Sequence, residues 1–427
     1  MPLLWTQRSA CALVASLMLF AAPADAAGPY VFATSIFPAS GEPGDSSLDG
    51  LLRVDLSDGS AEVVVPEGFN TTGDPAKAFV SPTDVAYDPV TDTVYVGSLG
   101  GRIWHFDAST GAPRVGLAPG ESMGVFAKLL EFPVPGGTNA EAALGLMVDG
   151  GTLYASTTFG SVATFNAQSG ALTGVVNTTP LSTPSGVSLA RSGELIVASG
   201  NIIDPTTQPG ELRSYDAGVE TTIVASAATP GINAGARPTV VAPIADYDLD
   251  GTVNAGDYTA WVNAYDSDDA RRDGNGDGLV DAADYTLWRD SEGEESRIVV
   301  ADQGQNQLIS FALDGTDGQQ LAVLPPAIPP GADPASNFPS EVLVDADGTL
   351  IVGALGRTRR PDNAGALYRY DRDGTLLETF VTDLPPISGI AFAPAPAIAA
   401  SASAPEPSTA LLALVAAAAA TGATRRR

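Results

Sequence analysis

Short apolar runs rich in Val, Ile, Leu, Tyr and Thr recur along most of the chain, set apart by Gly, Asp, Pro and Ser. Runs of this kind predict β-strands, and helical periodicity is almost absent outside the two ends and one insert. The runs also repeat. A first strand opens on a small residue in Pro82-Thr83-Asp84-Val85-Ala86-Tyr87-Asp88, Ser185-Gly186-Val187-Ser188-Leu189 and Ser340-Glu341-Val342-Leu343-Val344-Asp345. A second follows in Thr93-Val94-Tyr95-Val96-Gly97, Glu194-Leu195-Ile196-Val197-Ala198 and Thr349-Leu350-Ile351-Val352-Gly353. The third reads Gly101-Arg102-Ile103-Trp104-His105-Phe106-Asp107, Gly210-Glu211-Leu212-Arg213-Ser214-Tyr215-Asp216 and Gly365-Ala366-Leu367-Tyr368-Arg369-Tyr370-Asp371. Turns such as Thr110-Gly111 and Asp373-Gly374 then lead into a weaker fourth strand.

Four antiparallel strands in a repeat of about 40 residues predict the blade of a β-propeller. Five units centre on 82–118, 143–176, 184–225, 237–324 and 340–382. A sixth is expected to be shared between the ends of the domain. Ser388-Gly389-Ile390-Ala391-Phe392 is a first strand with no successor, while Tyr30-Val31-Phe32-Ala33 and Gly50-Leu51-Leu52-Arg53-Val54-Asp55 are later strands with no first. Joining them closes the ring and removes exposed sheet edges. The expected fold class is all-β, a propeller of roughly six blades with a small inserted α-helical module. In its strand rhythm the region from Ala33 to Phe392 resembles the NHL and gluconolactonase/regucalcin-like propellers.

The fourth of these units holds the insert. About fifty residues separate Pro238-Thr239-Val240-Val241-Ala242-Pro243 from Arg297-Ile298-Val299-Val300-Ala301, and a hairpin tip tolerates such an insertion at little entropic cost. Within it one pattern occurs twice, 27 residues apart: Asp246, Asp248, Asp250, Gly251, Thr252, Asn254 and Asp257, then Asp273, Asn275, Asp277, Gly278, Leu279, Asp281 and Asp284. Hard oxygen ligands at loop positions 1, 3, 5 and 12, a backbone carbonyl at position 7 (Thr252, Leu279) and glycine at position 6 are what a calcium loop of the EF type requires. The register continues beyond the ligands, since Tyr258, Thr259 and Trp261 match Tyr285, Thr286 and Trp288. Each loop is therefore expected to lead into a short helix whose aromatic side chains pack a small core. Crowded carboxylates repel one another without a cation, so two calcium ions are expected to drive folding of the module.

Two loops each followed by one helix, with aspartate at position 12, resemble the type I dockerin over Asp246 to Gly293. That resemblance implies docking to a cohesin-like domain read by positions 10 and 11 of each loop. Here those positions are Ala255-Gly256 and Ala282-Ala283 in place of a hydroxyl pair, so calcium binding carries over and the identity of the partner does not. A divergent cohesin-like domain, another surface protein and the propeller itself all remain open as its partner.

The two ends carry sorting signals. Arg8, an apolar run from Ala10 to Ala22 and Ala24-Asp25-Ala26 have the order of a secretory signal peptide, with cleavage expected near Ala26. Cys11 is the single cysteine and lies within that segment, which excludes disulfides and thiol catalysis from the mature chain. An Ala/Pro/Ser linker at 394–404 precedes Pro405-Glu406-Pro407, an Ala/Leu-rich stretch and Arg425-Arg426-Arg427. The tail at 405–427 resembles the PEP-CTERM sorting signal, which implies processing by an exosortase-type enzyme and at least transient anchoring in the cell envelope. Between the ends the expected domains are 28–243 and 296–393 for the propeller and 244–295 for the inserted module.

Acidic residues outnumber basic ones by 50 to 21, a net charge of −29, which repels nucleic acid and favours cations. The sole histidine, His105, sits mid-strand between Trp104 and Phe106 and reads as a packed imidazole; no nucleophile elbow or phosphate-cradling loop is present. Propeller lactonases hold a channel metal with oxygen ligands from different blades, and Glu341, Asn306 and Asp84 are the candidates here. Two functions follow. One is a non-catalytic surface binding protein with a carbohydrate or small-molecule ligand in the channel and calcium-dependent attachment. The alternative is a metal-assisted lactonase or lyase acting on sugar acids or polysaccharide fragments.

Overall fold

The computed structural model describes residues 30–35 and 48–393, apart from 119, 130–141, 159, 201–209, 226–227, 229, 233–234, 270, 276–277, 326–336, 346 and 356–364. The expected signal peptide, linker and sorting tail lie outside the described residues. Among the described residues no helix is long and apolar enough to cross a membrane.

Among the described residues, six four-stranded antiparallel sheets make up the propeller. The N-terminal strands are β1 (Tyr30–Ser35), β2 (Gly50–Asp55) and β3 (Ala61–Pro66). The next blade holds β4 (Pro82–Asp88), β5 (Thr93–Ser98), β6 (Arg102–Asp107) and β7 (Val125–Lys128), and the one after it β8 (Ala143–Asp149), β9 (Thr152–Thr157), β10 (Val162–Asn166) and β11 (Leu172–Val175). Then come β12 (Pro184–Leu189), β13 (Leu195–Ser199), β14 (Glu211–Asp216) and β15 (Val219–Val224). The interrupted blade contains β16 (Arg237–Val241), helices α1 (Ala255–Ala264) and α2 (Ala282–Asp290), β17 (Arg297–Asp302), β18 (Gln307–Ala312) and β19 (Gln319–Val323). The last complete set is β20 (Pro339–Val344), β21 (Leu350–Ala354), β22 (Gly365–Tyr370) and β23 (Leu376–Leu384), followed by β24 (Ile387–Ala393).

β24 pairs with β1, so the C-terminal strand supplies the innermost strand of a blade whose other strands are N-terminal. That is the closure the strand count called for. Each sheet's first strand packs beside those of its two neighbours, so β24, β4, β8, β12, β16 and β20 surround the axis. The second strands β5, β13 and β21 are buried at every position, which is why these segments read as nearly continuous hydrophobic runs, whereas innermost strands such as β12 and β20 leave Val187, Leu189 and Leu343 partly open. The fourth strands β11, β15 and β19 leave most of their side chains partly or fully open to water, which accounts for their weaker signal.

A β-bulge opens most first strands, and the hydroxyl at the bulge reaches the neighbouring blade: Ser185 Oγ donates to Ala236 O at 2.6 Å, Thr83 Oγ1 to Ala143 O, and Ser388 Oγ to Pro82 O at 3.0 Å across the seam. In these three repeats the small residue at the opening is thus a contact between blades. Five unit boundaries agree with the sequence reading to within a few residues, and one is corrected. The blade expected at 82–118 extends to Lys128, because the chain from Pro113 to Gly124 makes a detour beside β6 before β7 begins.

Candidate functional site

The inserted helices leave the propeller between β16 and β17; backbone bonds close the base of the insert, and Arg191 ties it to the neighbouring blade. Val253 N donates to Glu294 O at 2.8 Å and Ser296 N to Gly251 O at 2.7 Å, while Arg191 Nη1 donates to Asp246 O at 3.2 Å. Each loop ends in a capping box. Asn254 caps α1 and Asp281 caps α2, and in each case the residue three positions on, Asp257 or Asp284, bonds back to the cap's N–H.

Three backbone bonds of the first loop recur in the second. Asp257 Oδ1 accepts from Asp248 N (2.9 Å) and Oδ2 from Asn254 N (2.8 Å); Asp284 Oδ1 accepts from Asn275 N (3.2 Å) and Oδ2 from Asp281 N (2.7 Å). Gly251 N donates to Asp246 Oδ2 at 3.1 Å and Gly278 N to Asp273 Oδ2 at 2.6 Å. Those two glycines hold φ of +94° and +92°, a region that L side chains resist.

In the first loop the sequence candidates converge. Asp246, Asp248, Asp250 and Asp257 each offer a carboxylate oxygen, and all four oxygens lie within 4.8 Å of one another. Asp246 and Asp257 are fully buried, and Asp246 Oδ1 makes no hydrogen bond. Burial and the nearby Asp257 push the Asp246 carboxyl above its ordinary range, and burial also raises that of Asp248. The Thr252 carbonyl lies beside them, bonded by Asn254 Nδ2 at 3.0 Å. In the second loop Asp284 is likewise fully buried, Asp273, Asn275, Leu279 and Asp281 are described, and Asp277 falls outside the described residues.

Behind the loops the aromatic residues form the expected core, with Trp261 and Trp288 packed against the buried Tyr247, Ala245 and Val253. Tyr247 Oη donates to Asp284 O at 2.9 Å, joining the two loop-helix units. Tyr258 departs from a purely buried role. It is 42 % exposed and shares one side of α1 with Val262 and Tyr265, although its ring also lies 5.1 Å from that of Trp288.

The second place where candidates meet is the axis. Register puts Gly389, Asp84, Gly145, Gly186, Arg237 and Glu341 at matching positions of the six innermost strands. Three charged side chains thus fill one layer of the channel and three glycines leave room for them. At Gly389 the need is sharpest, since a Cβ there would stand 2.2 Å from Asp84 Oδ1. Arg237 spans the layer: Nη1 lies 2.5 Å from Asp84 Oδ1 and 3.5 Å from Glu341 Oε2, while Nη2 donates to Thr83 O at 2.9 Å and Leu144 O at 2.8 Å. Asp84 Oδ2 accepts from Leu146 N (2.6 Å) and Glu341 Oε2 from Ile390 N (2.7 Å). Burial raises both carboxyls; Arg237 draws Asp84 back down, whereas the Asp84 charge pushes Glu341 further up.

Asp84 and Glu341 therefore do converge, but on a guanidinium. Asn306 is a correction to the channel set: it occupies the turn between β17 and β18 with φ of +56°, off the innermost strand. Arg237 went unnoticed in the sequence because its partners are 153 and 104 residues away; the signal that could have found it is an arginine at the position where other first strands carry Gly, Asp or Glu. Next to this layer lies a cavity of about 320 Å³ lined by Val85, Leu146, Val187, Val342, Ile390 and Glu341. His105 is buried against Tyr95 and Phe126, with Nε2 3.1 Å from Val115 O, and burial lowers its pKa to about 4.

No protein-family model matches the chain, and no curated protein matches it in sequence. Solved structures are similar to it at low identity. A TolB-like protein from Agrobacterium tumefaciens is 11 % identical over 85 % of this chain and 93 % of its own, with a TM-score of 0.41. A luciferin-regenerating enzyme is 12 % identical over 73 % and 80 %, with a TM-score of 0.40, and the Dos1 propeller 15 % over 75 % and 64 %, with a TM-score of 0.37.

Proposed function

We propose that this chain is a non-catalytic propeller protein of the cell envelope whose inserted module binds two calcium ions and, once ordered by them, attaches the propeller to a partner. The observation that carries the reading is Asp246: a fully buried carboxylate with one oxygen lacking a hydrogen bond, facing three other carboxylates. Calcium takes six to eight hard oxygens and offsets the desolvation and repulsion that such a group otherwise suffers. The second loop repeats three of the same backbone bonds and is read as the second site.

In this reading the module is dockerin-like, and the side of α1 carrying Tyr258, Val262 and Tyr265 is the surface offered to a cohesin-like or other surface protein. Export and a PEP-CTERM-type tail would place it there through an exosortase-type enzyme. The cavity beside the axis, whose lining mixes apolar side chains with Tyr87, Ser188, Thr239 and Glu341, suits a carbohydrate or small molecule. A metal-assisted lactonase is the weaker reading, because Arg237 engages the oxygens of Asp84 and Glu341 that such a metal would need.

Calorimetry of the full chain with calcium is the test. Two binding events accompanied by a change in tryptophan fluorescence are expected. Absence of heat at millimolar calcium would remove the calcium reading and the attachment that depends on it.

A further inference from the structure

We propose that the guanidinium of Arg237 is a built-in cation filling an all-oxygen cage on the propeller axis, and that the cage becomes a divalent-cation site when this guanidinium is removed. The inference does not depend on the loops of the inserted module.

Four oxygens from three different strands meet the guanidinium: Asp84 Oδ1 and Thr83 O from β4, Glu341 Oε2 from β20 and Leu144 O from β8. Two carboxylates and two carbonyls form a donor set that hard divalent ions accept readily. They also suit a planar guanidinium, whose nitrogens point to several acceptors at once. The two occupants exclude each other. The side chains of Asp84 and Arg237 are 1 % and 8 % exposed, and the Gly389 backbone closes on Asp84, so a second cation finds no space in this layer.

Charge leads to the same conclusion. Two carboxylates desolvated at the centre of a propeller are strongly unfavourable without a counter-cation. Arg237 supplies one from within the chain, anchored at the matching position of β16. Its attachment makes the cation permanent and independent of solvent metal. The open part of the channel beyond it is then a cavity of mixed lining that includes Glu341, whose side chain keeps 16 % of its surface exposed. The axis is thus built as a structural seal that ties four blades together, and the ion most compatible with its oxygens is displaced by design of the sequence.

The test uses the full chain carrying Asp246→Asn and Asp273→Asn, so that the loops do not compete for metal. Manganese is titrated and free ion is followed by electron paramagnetic resonance. The expected result is that this parent leaves manganese free, whereas the same chain with Arg237→Ala binds one further equivalent at least tenfold more tightly and melts higher when manganese is added. Should Arg237→Ala fail to fold by itself, refolding is repeated with manganese or with methylguanidinium, and recovery with either supports the cage. Failure of both additives overturns it. So does a folded Arg237→Ala chain with no manganese affinity, and so does stoichiometric manganese binding by the parent that Glu341→Gln abolishes.

Discussion

Trp261 and Trp288 brace one another's loops: the indole N–H of Trp261 donates to Asp281 O, that of Trp288 to Asn254 O, both at 2.8 Å. The two acceptors are the ninth residues of the second and first loops. Each helix therefore holds the loop that precedes the other helix, and ordering of one loop is transmitted to its neighbour. Trp288→Phe keeps an aromatic ring while deleting the bond to the first loop. A hydrogen bond of this kind contributes about 1 kcal/mol, so roughly fivefold weaker calcium binding is expected at the first loop. Trp261→Phe should weaken the second instead. Stepwise calorimetry distinguishes the loops, and equal effects of the two variants on both steps would contradict the cross-brace.

The Asp246 carboxylate predicts effects of opposite sign with and without metal. Asp246→Asn removes a buried charge from a cluster of four. In chelator the variant is expected to be more stable than the parent, on the order of 1 kcal/mol or about 2 °C in melting temperature. In calcium it is expected to be less stable, because a ligand is gone. Thermal melts in both conditions check this, and a loss of stability in chelator as large as that in calcium would count against a repulsive cluster.

Closure of the ring rests on β24. Ile390 is 1 % exposed and packs with Val31, Leu52 and Ile351, and Thr34 Oγ1 lies 2.9 Å from Ser388 Oγ across the seam. Ile390→Ala is expected to cost about 2–5 kcal/mol. Removing residues 385–393 strips β1 of one of its two partners and leaves β4 without one of its two axial neighbours, and the chain should lose its cooperative melt. A truncated chain that still melts sharply at the parent temperature would mean the ring closes another way.

His105 sets one pH dependence. Burial holds its pKa at about 4 against an ordinary 6.5. The folded imidazole stays neutral while the unfolded one gains a proton between those values, so stability is present above pH 6.5 and is lost as pH falls toward 4. The full loss is about 3 kcal/mol. Denaturant melts from pH 7 to 4 should show a steeper decline for the parent than for His105→Gln, and parallel declines would rule out the imidazole as the source.

The blades, their order and the shared closing blade were legible in the sequence because strand burial imposes a local pattern. Val94-Tyr95-Val96 and Leu195-Ile196-Val197 are covered on both sides wherever they sit in the ring, so apolar runs and turn residues announce them. The acidic loops were legible for a related reason. Their carboxylates lie within twelve residues of one another, and the glycine that must take a left-handed φ stands in the middle of them.

The axis was not legible, because it depends on which residues of six distant strands share a layer. Glu341 and Asp84 could be named as candidates, but nothing local to either shows that Arg237 lies between them, and Asn306 looked equally suitable until the turn carried it off the innermost strand. The sequence by itself determined the strands, the turns and the twin acidic loops, all set by neighbours along the chain. Only the tertiary structure decided what the carboxylates on the axis hold, since charge pairing in a buried layer is fixed by register and ring closure.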